Sequence, residues 1–162
     1  MITRRVAVRG IIVRDGKIFC QKLQDKSTGR MNDFWSTPGG GLDPGESLVA
    51  GLRREIVEET GVSPDIGSLL FIQQFVQGDK EHLEFFFHIK NTSDYETIDL
   101  SKTTHGLIEV NDMNFVDPRA GNILPEFLQT VDIKSAIDQQ KSTEVFSYIT
   151  SAELSPKVEA SL

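Results

Sequence analysis

Glu55, Glu58 and Glu59 lie within five consecutive residues, and Gly39, Gly40 and Gly41 precede them by a short interval. Carboxylates packed this closely suit a hard cation. Mg²⁺ takes oxygen ligands, usually a few carboxylates completed by water and substrate phosphates. Consecutive glycines let backbone approach a ligand closely and leave N–H groups free for anions. The two features together suggest divalent-metal chemistry on a phosphate. Each has a plainer explanation when taken alone: acidic runs are usually solvated faces, and glycine-rich turns are common.

The carboxylates need a scaffold, and the sequence supplies a helix from about Ser47 to Thr60. Ser47 can cap its start, and Gly61 can close its end in the left-handed conformation. At roughly 100° per residue, Leu48, Val49, Leu52 and Ile56 form an apolar stripe. Glu55, Glu58 and Glu59 form an acidic stripe beside it. Glu55 repels Glu58 and Glu59 at i,i+3 and i,i+4, by a few tenths of a kcal/mol per pair. Gly51, on the acidic side, costs about 1 kcal/mol against Ala. A cation is therefore expected near the carboxylates, and a bulky group over Gly51.

The surrounding spacing is more specific. Gly40, Glu46 and the run Arg54-Glu55-Ile56-Val57-Glu58-Glu59-Thr60-Gly61-Val62 resemble the complete Nudix box. By average composition such a match arises by chance on the order of once in a hundred million start sites. The resemblance implies an α+β Nudix fold, an α/β/α sandwich around a mixed sheet, over roughly residues 3–140. Members of that family typically cleave a nucleoside diphosphate linked to another moiety, with Mg²⁺ or Mn²⁺. Carried over by position, Glu55, Glu58 and Glu59 would ligate metal, with the Gly39 carbonyl as a further candidate. Glu58 and Glu55 would be catalytic. Arg54, at i,i+4 to Glu58, would hold a carboxylate in place, and Glu46 would anchor the loop-helix geometry. Glu109 is the first choice for an extra ligand or general base, with Glu84 and Glu81 as alternatives.

The resemblance is less informative about substrate. A proline that ADP-ribose hydrolases of the family often carry has no counterpart near Gln77. A tyrosine of dinucleoside polyphosphate hydrolases has none at Gly78 to Lys80, and the upstream pattern of coenzyme A hydrolases is missing. What remains is similar to the MutT-like group, which acts on nucleoside triphosphates, including oxidised ones. The alternatives are an ADP-ribose or nucleotide-sugar hydrolase and a non-catalytic nucleotide-binding Nudix domain. Many members form dimers, so a homodimer fits the resemblance.

Composition narrows the field. The chain has 162 residues and a formal charge of −7, suited to one domain with a substantial core. An acidic balance argues against nucleic-acid or anionic-membrane partners, which need a basic surface. A small phosphate-bearing substrate stays compatible, since bound metal inverts local charge. Cys20 is the single cysteine; it reads as a small buried side chain, and a reactive thiol is the alternative. No signal-peptide core and no apolar run of about 20 residues stand out. The chain is most simply read as cytoplasmic.

Other elements follow from pattern. Val6 to Leu23 reads as a β-hairpin turning at Asp15-Gly16. The polar stretch Gln24 to Asp33 reads as a loop, in which Lys26 and Arg30 could meet phosphate or solvent. Phe34-Trp35 leads into the glycines; Trp35 suits a core position or base stacking. Gly40 and Gly41 are candidate substrate contacts. Ser68 to Gln77 and Glu81 to Lys90 read as paired strands. His82, Glu84 and His88 share one strand face, either as solvated polar residues or as metal ligands. Asn91 to Thr104 reads as a loop and Gly106 to Val116 as a strand region. Asn122 to Gln140 reads as a second helix, with a break near Asp132. Residues 1–141 are expected to form the domain and 142–162 a partly ordered extension.

Overall fold

The computed structural model describes residues 3–25, 27–103 and 110–139. The C-terminal extension and Glu109 lie outside the described residues. Two mixed sheets form the body. The first has the order β5 (Gly39–Gly41), β1 (Thr3–Ile11), β7 (Lys80–Ile89), β6 (Ile66–Gln77). Here β1 pairs antiparallel with β5 and parallel with β7. The second sheet contains β2 (Val13–Arg14), β3 (Lys17–Leu23), β4 (Trp35–Ser36) and β9 (Ile123–Leu124), with β8 (Val110–Val116) beside β3.

Helix α1 (Leu48–Thr60) has the expected bounds. The Ser47 hydroxyl accepts from the Ala50 N–H at 3.2 Å. Gly61 adopts φ 73° and donates to the Val57 carbonyl. Leu52 and Ile56 are fully buried, whereas Val49 stays exposed, so the apolar stripe is narrower than the sequence suggested. The bulky group over Gly51 is Leu42: a Cβ on Gly51 would lie 2.2 Å from Leu42 Cδ2.

The core is split between the two faces of β1 and β7. Val8, Ile12, Phe87 and Ile89 pack with Leu52 and Ile56 of α1. Ile11 and Phe86 pack on the other side with Ile123, Leu128 and Ile133. Alternation along each strand thus covers both faces, with α1 on one side. On the other lie a 3₁₀ turn (Glu126–Gln129) and a short helix α2 (Ile133–Asp138). This is the sandwich that the resemblance implied. Among the described residues no helix is long and apolar enough to cross a membrane.

Three expectations are corrected. Only Val13-Arg14 and Lys17-Ile18 form the expected hairpin, around Asp15 and Gly16 at φ 49° and 75°. The chain leaves that sheet at Ile12, and β1 joins the other sheet, because Val8 and Ile12 bury against α1. The expected helix from Asn122 to Gln140 is divided into β9, the 3₁₀ turn and α2. Pro125 holds an extended backbone (ψ 151°), and Asp132 starts a new helix by accepting from the Ser135 N–H. The Asn91 to Thr104 loop contains two short 3₁₀ turns, Thr92–Tyr95 and Leu100–Lys102.

Candidate active site

The expected cation beside the carboxylates is supplied by the chain itself. The Arg54 guanidinium donates to Glu46 through Nε and Nη2, both at 2.9 Å. It also donates to Glu55 at 2.9 Å, to Glu58 at 3.3 Å and to the Gly41 carbonyl at 2.9 Å. Arg54 thereby ties the loop, the glycine strand and the helix carboxylates together. Bonding to Glu46 and Glu55 raises its pKa, and the same contact holds Glu46 below the usual carboxylate range. Glu46 also accepts from the Asp43 N–H, closing the turn before α1.

Glu59 does not share this surface. It is buried and points inward, where Gln21 Nε2 and the Gly39 N–H each donate to it at 2.8 Å. Burial pushes its carboxyl up to about 7, against the opposing effect of those two hydrogen bonds and of Arg9. Gly39 is also held from its other side, since Arg9 Nη1 donates to its carbonyl at 2.8 Å. The Gly39 carbonyl, expected as a metal ligand, thus already has a donor. Gly39 sits at φ 128°, and a Cβ there would lie 2.1 Å from the Val8 carbonyl oxygen. A Cβ on Gly40 would lie 2.6 Å from the Glu55 carboxylate. Gly39 is therefore demanded by its approach to β1 and Gly40 by the Glu55 carboxylate, whereas a Cβ on Gly41 would meet the Arg5 guanidinium at an ordinary 3.4 Å.

β5 is an edge strand, so its glycines separate the helix carboxylates from the opposite face of the sheet without interposing a side chain. On that face lies a cleft of about 730 Å³. Register defines its floor. Arg5, His82 and Phe75 form one row across β1, β7 and β6; Ala7, Glu84 and Gln73 form the next. The third row, Arg9, Phe86 and Phe71, is partly roofed by Phe127, whose ring lies 5.3 Å from Phe86 and 5.4 Å from Phe71. Glu84 is buried and pairs with Arg9 at 3.3 Å. The face of β7 that looked solvated in the sequence is therefore the covered cleft wall. His82 stacks on Phe75 at 4.5 Å, while His88 is half-buried further along.

Glu55 and Glu58 offer oxygen donors that are neither sealed off nor freely solvated, at 16% and 27% exposure. With the cradle at Gly40, that donor set fits a hard divalent cation. Among the described residues no three acidic, histidine or cysteine side chains already converge on one point. Their carboxylates are instead turned toward Arg54 or inward toward Gly39.

The other sequence-derived candidates lie apart. Trp35 packs against the second core, with Lys22 Nζ 5.0 Å above its ring; Phe34 and Ser36 line the cleft instead. Arg30 is exposed in the Gln24–Met31 loop, outside the cleft lining. Glu81 pairs with Arg4 at 2.6 Å on the opposite face of the sheet. Sequence reasoning passed over Arg5, Arg9 and Gln21. The available signal was a charge or amide inside an otherwise apolar strand, as in Val-Ala-Val-Arg-Gly-Ile and Phe-Cys-Gln.

Comparison with known proteins agrees with this geometry. The NUDIX domain model matches residues 3–130. An RNA pyrophosphohydrolase of Erythrobacter litoralis is 40% identical over 58 residues, covering 35% of this chain and 33% of the relative. Diphosphoinositol polyphosphate phosphohydrolase 2 of Rattus norvegicus is 38% identical over 61 residues, covering 38% and 33%. The match thus spans about a third of the length of these curated relatives. A solved Nudix hydrolase from Nitrosomonas europaea superimposes with a TM-score of 0.68 at 19% identity, covering 90% of this chain and 97% of that one.

Proposed function

The chain belongs to the NUDIX domain family, and on that premise we propose that it is a divalent-metal-dependent pyrophosphohydrolase. Its substrate would be a nucleoside diphosphate linked to a further group, in the first instance a nucleoside triphosphate cleaved to monophosphate and pyrophosphate. The observation that carries this is the pairing of β5 with β1: carboxylates set by Arg54 lie against the glycine strand, and its neighbour β1 carries Arg5 and Arg9 into a cleft of about 730 Å³, large enough for a nucleoside.

Glu55 and Glu58 would hold Mg²⁺, or Mn²⁺ in its place, and Glu59, enclosed with Gln21 and Gly39, would have to turn outward to join them. When bound, the cation neutralises the anhydride's charge and acidifies water at the phosphorus. Glu58, more exposed than Glu55, is the carboxylate suited to accept the proton of the attacking water. Arg54 fixes the directions of Glu55 and Glu58, and its bond to Gly41 keeps the glycine strand in register with them. Gly40 and Gly41 would present bare backbone to the phosphates. Arg5 lies along Gly41, with its guanidinium atoms 3.4 to 3.7 Å from where a Cβ would stand. Arg9 and Arg54 are engaged by backbone carbonyls and carboxylates, so Arg5 has the donors to spare for a phosphate.

The test is a panel of nucleotides with Mg²⁺ or Mn²⁺, with the products identified. Pyrophosphate and monophosphate should appear from at least one substrate. A folded protein inert across the panel would overturn the proposal.

A further inference from the structure

We infer that the free edge of β6, from Phe71 to Gln77, is where a second copy of this chain docks. It adds its own β6 antiparallel and continues the four-stranded sheet across a two-fold axis at Gln74.

An unpaired strand edge offers a row of N–H and C=O groups to another chain. Proteins usually blunt such edges with charge, proline, bulges or short length. Among the described residues β6 closes one side of its sheet with twelve residues, whereas β5, on the other side, has three. Ser68 to Gln77 contains no charged residue and no proline, in a chain of net charge −7. Both register shifts of β6 fall before Phe71, and from there to Gln77 its pairing with β7 is regular. Ile72 and Val76, at 59% and 60%, are the most exposed large apolar side chains among the described residues. Ile72 is opposite Phe85 and Val76 opposite Glu81, on the face of the sheet that carries α1, and α1 leaves both uncovered.

The order of side chains identifies the occupant. Copies related by a two-fold axis meet through the same patch, which must complement itself. Antiparallel pairing of β6 about Gln74 sets Ile72 opposite the partner's Val76, and Val76 opposite the partner's Ile72. Directly opposite apolar side chains lie about 5 Å apart and stabilise the pair. Gln74 faces the partner's Gln74. Its Nε2 donates to Glu81, which leaves the carbonyl oxygen and a second N–H for the partner amide. Moving the axis by one residue, the smallest shift that keeps the same faces aligned, sets Ile72 or Val76 opposite glutamine instead. Two copies of net charge −7 repel, and a neutral strand lets them meet without setting like charges opposite. On the other face Phe75 meets the partner's Gln73, so the two clefts adjoin on one side of the joined sheet.

The test is sedimentation velocity from micromolar to millimolar protein, with amide hydrogen exchange at both ends of the range. The wild type should reach twice the 18.1 kDa chain mass, and the amides of residues 71–77 should exchange more slowly as the dimer forms. Ile72→Lys with Val76→Lys sets like charges opposite and should raise the dissociation constant of the dimer by about tenfold or more. Ile72→Glu with Val76→Lys sets opposite charges in the same places and should restore the dimer. Both pairs change only exposed side chains, so the second controls for the first. A wild type that stays monomeric overturns the inference, and slow exchange at 71–77 in that monomer would give the edge another occupant. A dimer that tolerates the two lysines, or that the glutamate–lysine pair does not recover, overturns it too. Open-ended growth in place of a dimer would contradict the two-fold axis.

Discussion

The three glutamates that define the motif occupy two different environments. Glu55 and Glu58 face Arg54 at the surface, while Glu59 is enclosed with Gln21 and Gly39. Glu58→Gln should lower kcat by about a hundredfold or more with little change in melting temperature, measured by pyrophosphate release. Glu59 should report its burial through pH. Its folded-state pKa of about 7 lies above the ordinary glutamate value of 4.5, so between those values the folded protein holds a proton that the unfolded chain has released. Its contribution to stability is therefore fully present below pH 4.5 and is lost as pH rises toward 7, by on the order of 3 kcal/mol. In chelated protein, Glu59→Gln should flatten this decline in urea titrations and be more stable than wild type at pH 8. A glutamine there can accept from the Gly39 N–H and donate to Gln21 Oε1, which has no partner among the described residues. Residue types and spacing were enough to single out all three glutamates. They could not separate Glu59 from the others, because its partner Gln21 is 38 positions away and meets it only through the packing of β3 on α1.

At the level of elements, legibility followed locality. Helix α1 was readable to the residue because its cap, its stop and its stripe all lie within it. The turn at Asp15-Gly16 was readable for the same reason. The departure of β1 into the other sheet was not, since it depends on Val8 and Ile12 finding α1. The supposed second helix had a helical spacing of Leu124, Phe127, Leu128 and Val131, but packing around Phe86 and Phe71 favoured a turn that places Phe127 over both rings. Gly51 joins the two kinds of reasoning. Its cost was visible in the sequence, whereas its cause, Leu42, was not. Gly51→Ala should gain about 1 kcal/mol of helix propensity yet destabilise by about 1–3 kcal/mol net in urea unfolding, because Leu42 must move. Ser47→Ala should cost about 1 kcal/mol in the same assay by removing the bond to the Ala50 N–H.

For the whole molecule, the box disclosed the family and the sandwich, but the cleft escaped it. Its lining comes from β1, β4, β6, β7 and the turn around Pro125, which no short window of sequence brings together. Metal binding should be visible at this scale. Millimolar Mg²⁺ should raise the melting temperature of the wild type, since a ligand that prefers the native state stabilises it by mass action. The combined Glu55→Gln and Glu58→Gln variant should show no such rise, measured by thermal shift against a chelator control. Strand β1 links the two halves of the molecule, with the glycine edge on one side of it and the cleft floor on the other. Arg5 and Arg9 project from the same face of that strand, four residues apart, a span of about 13 Å in extended chain. The strand therefore works as a ruler. Because its pairing on both sides fixes the register, neither arginine can slide without moving Val8 out of the core. In the proposed function, that edge would gauge a substrate for length, and it cannot stretch.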